Sequence, residues 1–303
     1  MTPRLAVKVD VDTLRGYVTG IPRLLDLFQK HGIRASIFFS FGPDNSGKAI
    51  RRVFRRGFLS KMLRTRAPST YGFKTLLYGT LLPAPIIVDA NPDTLRRACA
   101  EGHDCGIHAW DHVLVQDKLH GMAEGVFETL YRKAASKYEE ILGVKPTSYA
   151  APGWQVSQAS LAVEERVGLQ YASDTRGSSP FLPVLGGFRG TVLQIPTTLP
   201  TMDEVLGLPD ITEDTLPGIW LEGLRNEWNV MTVHAEMEGI SKLACFEEFL
   251  KMTKKQGVLF LTLREIAEKA TPNYHEIVKS TCSGRAGTLA AQGDPVRRRG
   301  CPK

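Results

Sequence analysis

The chain has 303 residues, with 38 lysines and arginines against 32 aspartates and glutamates, a formal net charge of +6 and 43% hydrophobic residues. That is enough apolar material to bury a large core in one α/β domain with insertions, yet no run reaches the roughly 18 apolar residues of a membrane-spanning helix. The N-terminus enters a strand at once, without the apolar stretch of a secretory signal, and the five scattered cysteines (Cys99, Cys105, Cys245, Cys282, Cys301) lack a Cys-x-x-Cys pair, which argues for reduced thiols in a cytoplasmic chain and against a disulfide framework.

Residues 4–11 and 34–41 read as strands, separated by a helix through Pro22-Arg-Leu-Leu-Asp-Leu-Phe that stops at Gly32, a β-α-β unit. Residues 45–90 interrupt the alternation. It resumes with a helix opening at Asn91-Pro92-Asp93, a strand near 104–108, a helix near 123–142 and a strand ending at Pro152. A helix near 157–167, strands near 170–173 and 191–195, a helix near 212–226 and a strand from Asn229 to His234 follow, then a helix near 244–256, a strand near 258–261 and a helix near 263–270. Repeated β/α units predict a parallel sheet, and this many predict a barrel. Residues 271–303 lose periodicity and read as a C-terminal tail, disordered over its last ten or so positions.

Polar residues gather where the predicted strands end. Asp10 and Asp12 close the first strand, His108 and His112 follow the third, and Pro152-Gly153-Trp154, Asp174 and His234 sit at or just past later ones. Catalytic groups of β/α barrels collect at that end. If His108 and His112 lie one helical turn apart, both imidazoles reach one metal ion while a carboxylate supplies a third ligand, leaving coordination positions open for water. The alternative is a surface or hydrogen-bonded histidine pair. A His2Asp set suits zinc first and also accepts cobalt, nickel, manganese or iron.

Taken in order, these segments resemble the motifs of the polysaccharide deacetylase family, metal-dependent N-deacylases with a NodB-homology domain, over roughly residues 4–270. The resemblance implies an irregular (β/α) barrel of that type over residues 1–270, carrying a basic amphipathic insertion at about 45–90. It implies Asp10 as general base, with a second metal ligand as the alternative, and Asp12, His108 and His112 as ligands. His234 becomes the general acid, and Gly153 and Trp154 form a wall of the site with the Gly153 N–H facing the oxyanion. Trp110 and Trp154 either stack on a sugar or simply pack. Glu236 and Glu238 either meet sugar hydroxyls or an amine product, or are solvated loop charges. Ala150 stands where the family often has an arginine that orients the base through an aspartate. Here Asp174 stands beside Arg176, the candidate substitute, although Asp174 also suits a turn or helix cap.

Longer stretches, among them Val9-Asp-Val-Asp-Thr, Ala35-Ser-Ile-Phe-Phe-Ser-Phe-Gly-Pro-Asp-Asn and His234-Ala-Glu-Met-Glu-Gly, resemble a group within the family that deformylates a formamido-arabinose carried on undecaprenyl phosphate for lipid A modification. Lys74-Thr-Leu-Leu-Tyr-Gly-Thr-Leu-Leu-Pro resembles equally a sister group that deacetylates N-acetylgalactosamine on the same carrier. The implied substrate is a polyprenyl-phosphate-linked amino sugar, with a soluble oligosaccharide as alternative and a non-catalytic lipid or glycan binder as the non-enzyme reading.

Between Asp44 and Asp89 no residue is acidic, while basic residues run from Lys48 to Lys74. Arg51, Arg52, Arg55 and Arg56, interleaved with aliphatic and aromatic residues such as Phe58, read as an interfacial segment attaching the chain to the inner face of the cytoplasmic membrane. The alternative is a solvated face of the barrel. Nucleic acid is not an expected partner, because no recognised nucleic-acid module accompanies the arginines.

Overall fold

The computed structural model describes residues 2–49, 74–225, 227–285 and 287–296. The expected membrane contacts Arg51, Arg52, Arg55, Arg56 and Phe58 lie outside the described residues. No helix among the described residues is long and apolar enough to cross a membrane.

Strand β1 (Arg4–Val11) is the centre of the molecule. It is parallel to β9 (Trp228–His234) on one side; on the other it meets β10 (Leu259–Leu261) along its first half and β2 (Ser36–Ser40) along its second. From β2 the sheet continues in parallel through β3 (Asp104–Ala109), β4 (Ser148–Tyr149), β5 (Tyr171–Ala172) and β8 (Leu193–Gln194). Then β6 (Phe181–Leu185) pairs antiparallel with β8 and parallel with β11 (Asn273–Ser280), while β7 (Phe188–Arg189) folds back on β6. The outermost strand is β12 (Leu289–Pro295). Among the described residues β9 and β12 do not pair, so the curled sheet is an incomplete (β/α) barrel.

The period of two in β1 sorts its side chains between two apolar clusters. Leu5, Val7, Val9 and Val11 join the large core beneath the helices; Ala6 joins a second cluster with Phe38, Ala150, Tyr171 and Val230 inside the curl. Lys8 and Asp10 share the parity of Ala6 and face inward.

Helices α1 (Ile21–His31), α2 (Pro92–Ala100), α3 (His112–Lys118), α4 (Glu124–Leu142) and α5 (Gln158–Arg166) lie between successive strands. They are followed by α6 (Met202–Val205), α7 (Leu216–Glu222), α8 (Leu243–Lys255) and α9 (Leu263–Lys269). In α1 a proline in the first turn and Gly32 at φ 61° mark the two ends as the sequence indicates, and Leu24, Leu25, Leu27 and Phe28 fill the buried face.

The expected helix near 212–226 shortens to α7. A larger correction concerns residues 271–295, read as a tail: they form β11 and β12 and extend the sheet. Ile277 is the one buried residue of β11, so its apolar pattern is too weak to announce a strand. Its backbone ladder with β6 and β12 carries the order instead.

Candidate active site

The ends of β1, β3 and β9 converge. Asp12 follows β1, His108 lies near the end of β3, and His112 opens α3 after the two-residue turn Trp110-Asp111. The pair is therefore not one turn of a helix, as the i, i+4 spacing suggested; the rings meet across a strand-to-helix corner, centroids 5.2 Å apart. Nε2 of His108 and of His112 lie 3.2 and 3.4 Å from the two Asp12 oxygens. One ligand atom from each residue falls within 4.8 Å of the others.

The corner is held by Asp111. One of its oxygens accepts the Leu114 N–H at 3.0 Å, capping α3, while the other accepts Asn45 Nδ2 at 2.7 Å. Asp111 thus seats His112 without contacting the cation position. Trp110 packs tightly on Gly42, where a Cβ would lie 2.7 Å from the indole ring.

These residues fit a divalent cation. Nδ1 of His108 is 2.6 Å from the Ala150 carbonyl, and as donor to it leaves Nε2 as a lone pair aimed at Asp12. Asp12 Oδ1 is buried with no hydrogen-bond donor. Burial opposes ionisation of Asp12, but the histidines facing it, His112 first and then His108 and His234, hold its carboxyl well below the usual carboxylate range.

Asp10 and His234 are register partners on β1 and β9. Asp10 is 4% exposed; its Oδ2 is 3.3 Å from Lys8 Nζ and its Oδ1 has no hydrogen-bond partner. Nδ1 of His234 stands 4.0 Å from Asp203 Oδ1, a charge contact longer than a hydrogen bond. Desolvation disfavours the imidazolium, yet Asp203, Asp12, Glu238 and Asp10 outweigh it and push the His234 pKa up to about 9.

Glu236 and Glu238 are fully buried, not solvated loop charges. Glu236 Oε1 accepts the Asp12 and Thr13 N–H groups at 3.0 and 2.7 Å and the Thr13 hydroxyl at 2.8 Å. Glu238 Oε2 accepts the His234 N–H at 2.9 Å. Each fixes the backbone beside a site residue. Burial, with the charge of Asp12, raises the Glu236 pKa to about 8; burial raises that of Glu238 to about 7.

Asp174 is neither a turn nor a helix cap. It accepts the Ala151 N–H at 2.6 Å and Gln194 Nε2 at 3.0 Å, fixing the chain just before Pro152-Gly153-Trp154. Burial lifts its pKa to about 6 against those hydrogen bonds and the charge of Lys8, and Glu164 beside it is raised further.

Arg176 does not take the expected place of the missing arginine. Its guanidinium bonds both oxygens of Glu204 at 2.8 Å and the Leu199 carbonyl at 2.9 Å. Trp154 is 2% exposed, with Arg285 and Arg176 over its ring at 4.6 and 5.1 Å, so it is packed inside the wall and offers no open sugar platform. Gly153, at φ 62°, makes the turn possible: a Cβ there would meet Gln116 at 2.5 Å, and its carbonyl accepts from Arg285 at 3.2 Å.

Three contributors were missed in the sequence. Lys8 had a readable signal, two residues before Asp10 on the same face of a strand. Asp203 and Arg285 had none, because they reach the site from the four-residue helix α6 and from the unforeseen hairpin.

The cluster of Asp12, His108 and His112 is the site of a metal-dependent hydrolase. A polysaccharide deacetylase family model matches residues 10–172. A protein of Shewanella sediminis named as a probable 4-deoxy-4-formamido-L-arabinose-phosphoundecaprenol deformylase is 36% identical over 97% of this chain and 96% of its own length. A protein of the same name from Wigglesworthia glossinidia brevipalpis is 31% identical over 91% of this chain and 98% of its own. Among solved structures, a putative polysaccharide deacetylase from Mycobacterium smegmatis superimposes with a TM-score of 0.60 at 18% identity, covering 90% of this chain and 93% of that one. A probable polysaccharide deacetylase from Pseudomonas aeruginosa gives 0.58 at 16% identity over 88% and 90%.

Proposed function

Because the chain belongs to the polysaccharide deacetylase family, we propose that it removes the formyl group from a 4-formamido-arabinose carried on undecaprenyl phosphate, as the names of its relatives state for those proteins. The observation that carries the reading is the metal triad with Asp10 and His234 standing on adjacent strands beside it. Asp12, His108 and His112 hold the cation, zinc in the first instance. When bound it acidifies water and polarises the acyl group as a Lewis acid.

The chain's own residues do the rest. Asp10, with Oδ1 free of protein partners, takes the proton of the attacking water. His234, kept charged by the carboxylates around it, gives a proton to the sugar nitrogen as the C–N bond breaks. Each such transfer is worth about 10²–10⁴-fold. The Gly153 N–H, presented by a turn that Asp174 and Arg285 pin from two sides, faces the developing oxyanion.

A lipid-linked substrate calls for contact with the membrane surface. Leu81, 80% exposed, and the exposed Leu82 adjoin the basic stretch of the insertion and supply apolar contacts. We place the protein on the inner face of the cytoplasmic membrane, held by Arg51, Arg52, Arg55, Arg56 and Phe58. Incubation of the zinc-loaded protein with undecaprenyl-phosphate 4-formamido-arabinose, followed by mass spectrometry, is expected to show loss of 28 mass units, the ~CO difference between formamide and amine. Turnover of the N-acetylgalactosamine-linked carrier alone, or of soluble chito-oligosaccharide alone, overturns the substrate assignment. Unchanged liposome flotation after neutralising the four arginines overturns the membrane attachment.

A further inference from the structure

We infer that Lys8 is the positioning residue of the base, doing for Asp10 what an arginine at the place of Ala150 would otherwise do; this rests on the reading of Asp10 as base.

A lysine ammonium is among the groups least often buried, because leaving water costs it several kcal/mol unless partners replace the lost hydration. Lys8 is fully buried at the middle of β1. Among the described residues its Nζ donates to the Ser173 carbonyl at 3.1 Å and stands 3.3 Å from Asp10 Oδ2. The rings of Phe38 and Trp154 each lie 5.7 Å from it. The ammonium is thereby fixed between the strand that carries the base and the segment that carries Asp174.

The consequence falls on the carboxylate. With Oδ2 tethered, the Asp10 plane cannot rotate freely, and Oδ1 is the oxygen left without a partner. One oxygen anchored and one open is the arrangement a base needs to meet a proton in a fixed direction.

The small residue at position 150 makes room for this solution. Ala150 is buried in the cluster that includes Phe38, whose ring lies beside the ammonium. Its carbonyl holds His108, so that position keeps a role in the metal site through its backbone while its side chain supplies no charge. Arg176 is committed to Glu204 and the Leu199 carbonyl. The strand period supplies the rest: positions 8 and 10 share a face, so a lysine two residues before the base reaches it without any loop.

The test uses the full-length chain loaded with Co²⁺, assayed on the lipid-linked formamido sugar. Lys8→Met keeps the aliphatic stem and removes the charge. We expect kcat to fall by about 10²-fold with KM changed less than about threefold. The Co²⁺ absorption spectrum and the melting temperature of the loaded protein should remain near wild type. Lys8→Arg should recover at least about tenfold of the loss. A Lys8→Met enzyme with kcat within about threefold of wild type overturns the inference, as does a loss seen mainly in KM or accompanied by a changed Co²⁺ spectrum. Should Lys8→Met not fold, Lys8→Gln replaces it, with the same outcomes deciding. Asp10→Asn is measured in parallel. If that variant retains turnover, the reading of Asp10 as base fails first and takes this inference with it; if it is inactive while Lys8→Met is not, only the role of Lys8 fails.

Discussion

Glu236 offers a sharp test of how the metal site is held. Its Oε1 receives three donors, the N–H groups of Asp12 and Thr13 and the Thr13 hydroxyl, all from the turn that presents Asp12 to the cation. In Glu236→Ala each donor loses its acceptor in a buried setting, at about 1–3 kcal/mol apiece. Partial rehydration through the space left behind brings the expected total to roughly 3–6 kcal/mol. That corresponds to a melting temperature lower by roughly 6–12 °C. The Asp12 carboxylate also loses its orientation, for which a metal affinity weaker by about 10–100-fold is expected. Glu236→Gln is the discriminating control. Glutamine retains a side-chain carbonyl oxygen for the same three donors at nearly the same volume. We expect it to cost less than about 1.5 kcal/mol. Thermal unfolding of the metal-free and Zn²⁺-loaded proteins, with Zn²⁺ titration against a competing chelator, measures both quantities. An alanine variant melting within 2 °C (about 1 kcal/mol) of wild type, or a glutamine variant as damaged as alanine, would refute the reasoning.

Other consequences are open to measurement. Asp174 and Glu164 have folded-state pKa values raised by burial, Asp174 to about 6, so folding retains protons that the unfolded chain releases near about 4. Their contribution is complete below that range and is lost as pH rises through 6. Melting temperature should therefore drop between pH 4 and 7 more steeply in wild type than in Glu164→Gln; identical profiles would count against the pair. Exhaustive chelation should abolish turnover, and added Zn²⁺ or Co²⁺ should restore it, whereas full activity of protein shown metal-free by elemental analysis would refute the assignment of the triad. Asp111→Ala removes the cap of α3 and the Asn45 bond together, so a loss of about 1–2 kcal/mol is expected by urea unfolding, with weaker Zn²⁺ binding because His112 is the first residue of that helix. Arg285→Ala uncovers one face of Trp154 and leaves the Gly153 carbonyl to Gln155 Nε2; a kcat lower by about tenfold is expected, and an unchanged rate would show that the hairpin does not support the wall.

The sequence alone determined a good part of this protein. Most of the β/α alternation from β1 to α9 was legible, with β6, β7 and α6 the exceptions, because most of its strands contain short apolar runs and its longer helices carry one apolar stripe, signals set by residues close in the chain. The convergence of Asp10, Asp12, His108, His112 and His234 was legible for a related reason: in parallel β/α folds strand ends share one side, so chain position implies spatial position. Tertiary structure alone decided what each of these side chains leans on. The i, i+4 spacing of the histidines was right about proximity and wrong about its cause, since a strand-to-helix corner and not a helical face brings the rings together. The acid character of Glu236 and Glu238 suggested solvent, whereas the crossing of two close-packed turns, with a Gly239 Cβ position only 2.7 Å from Gly20 Cα, encloses the segment beside them. Arg176 stood next to Asp174 in sequence and turned away to Glu204. The charged partners beside the site, Asp203 near His234 and Arg285 at Gly153, come from the short helix α6 and from a hairpin stabilised mainly by backbone pairing. Neither leaves a periodic trace, because which distant loop reaches a given side chain is settled only when the sheet curls.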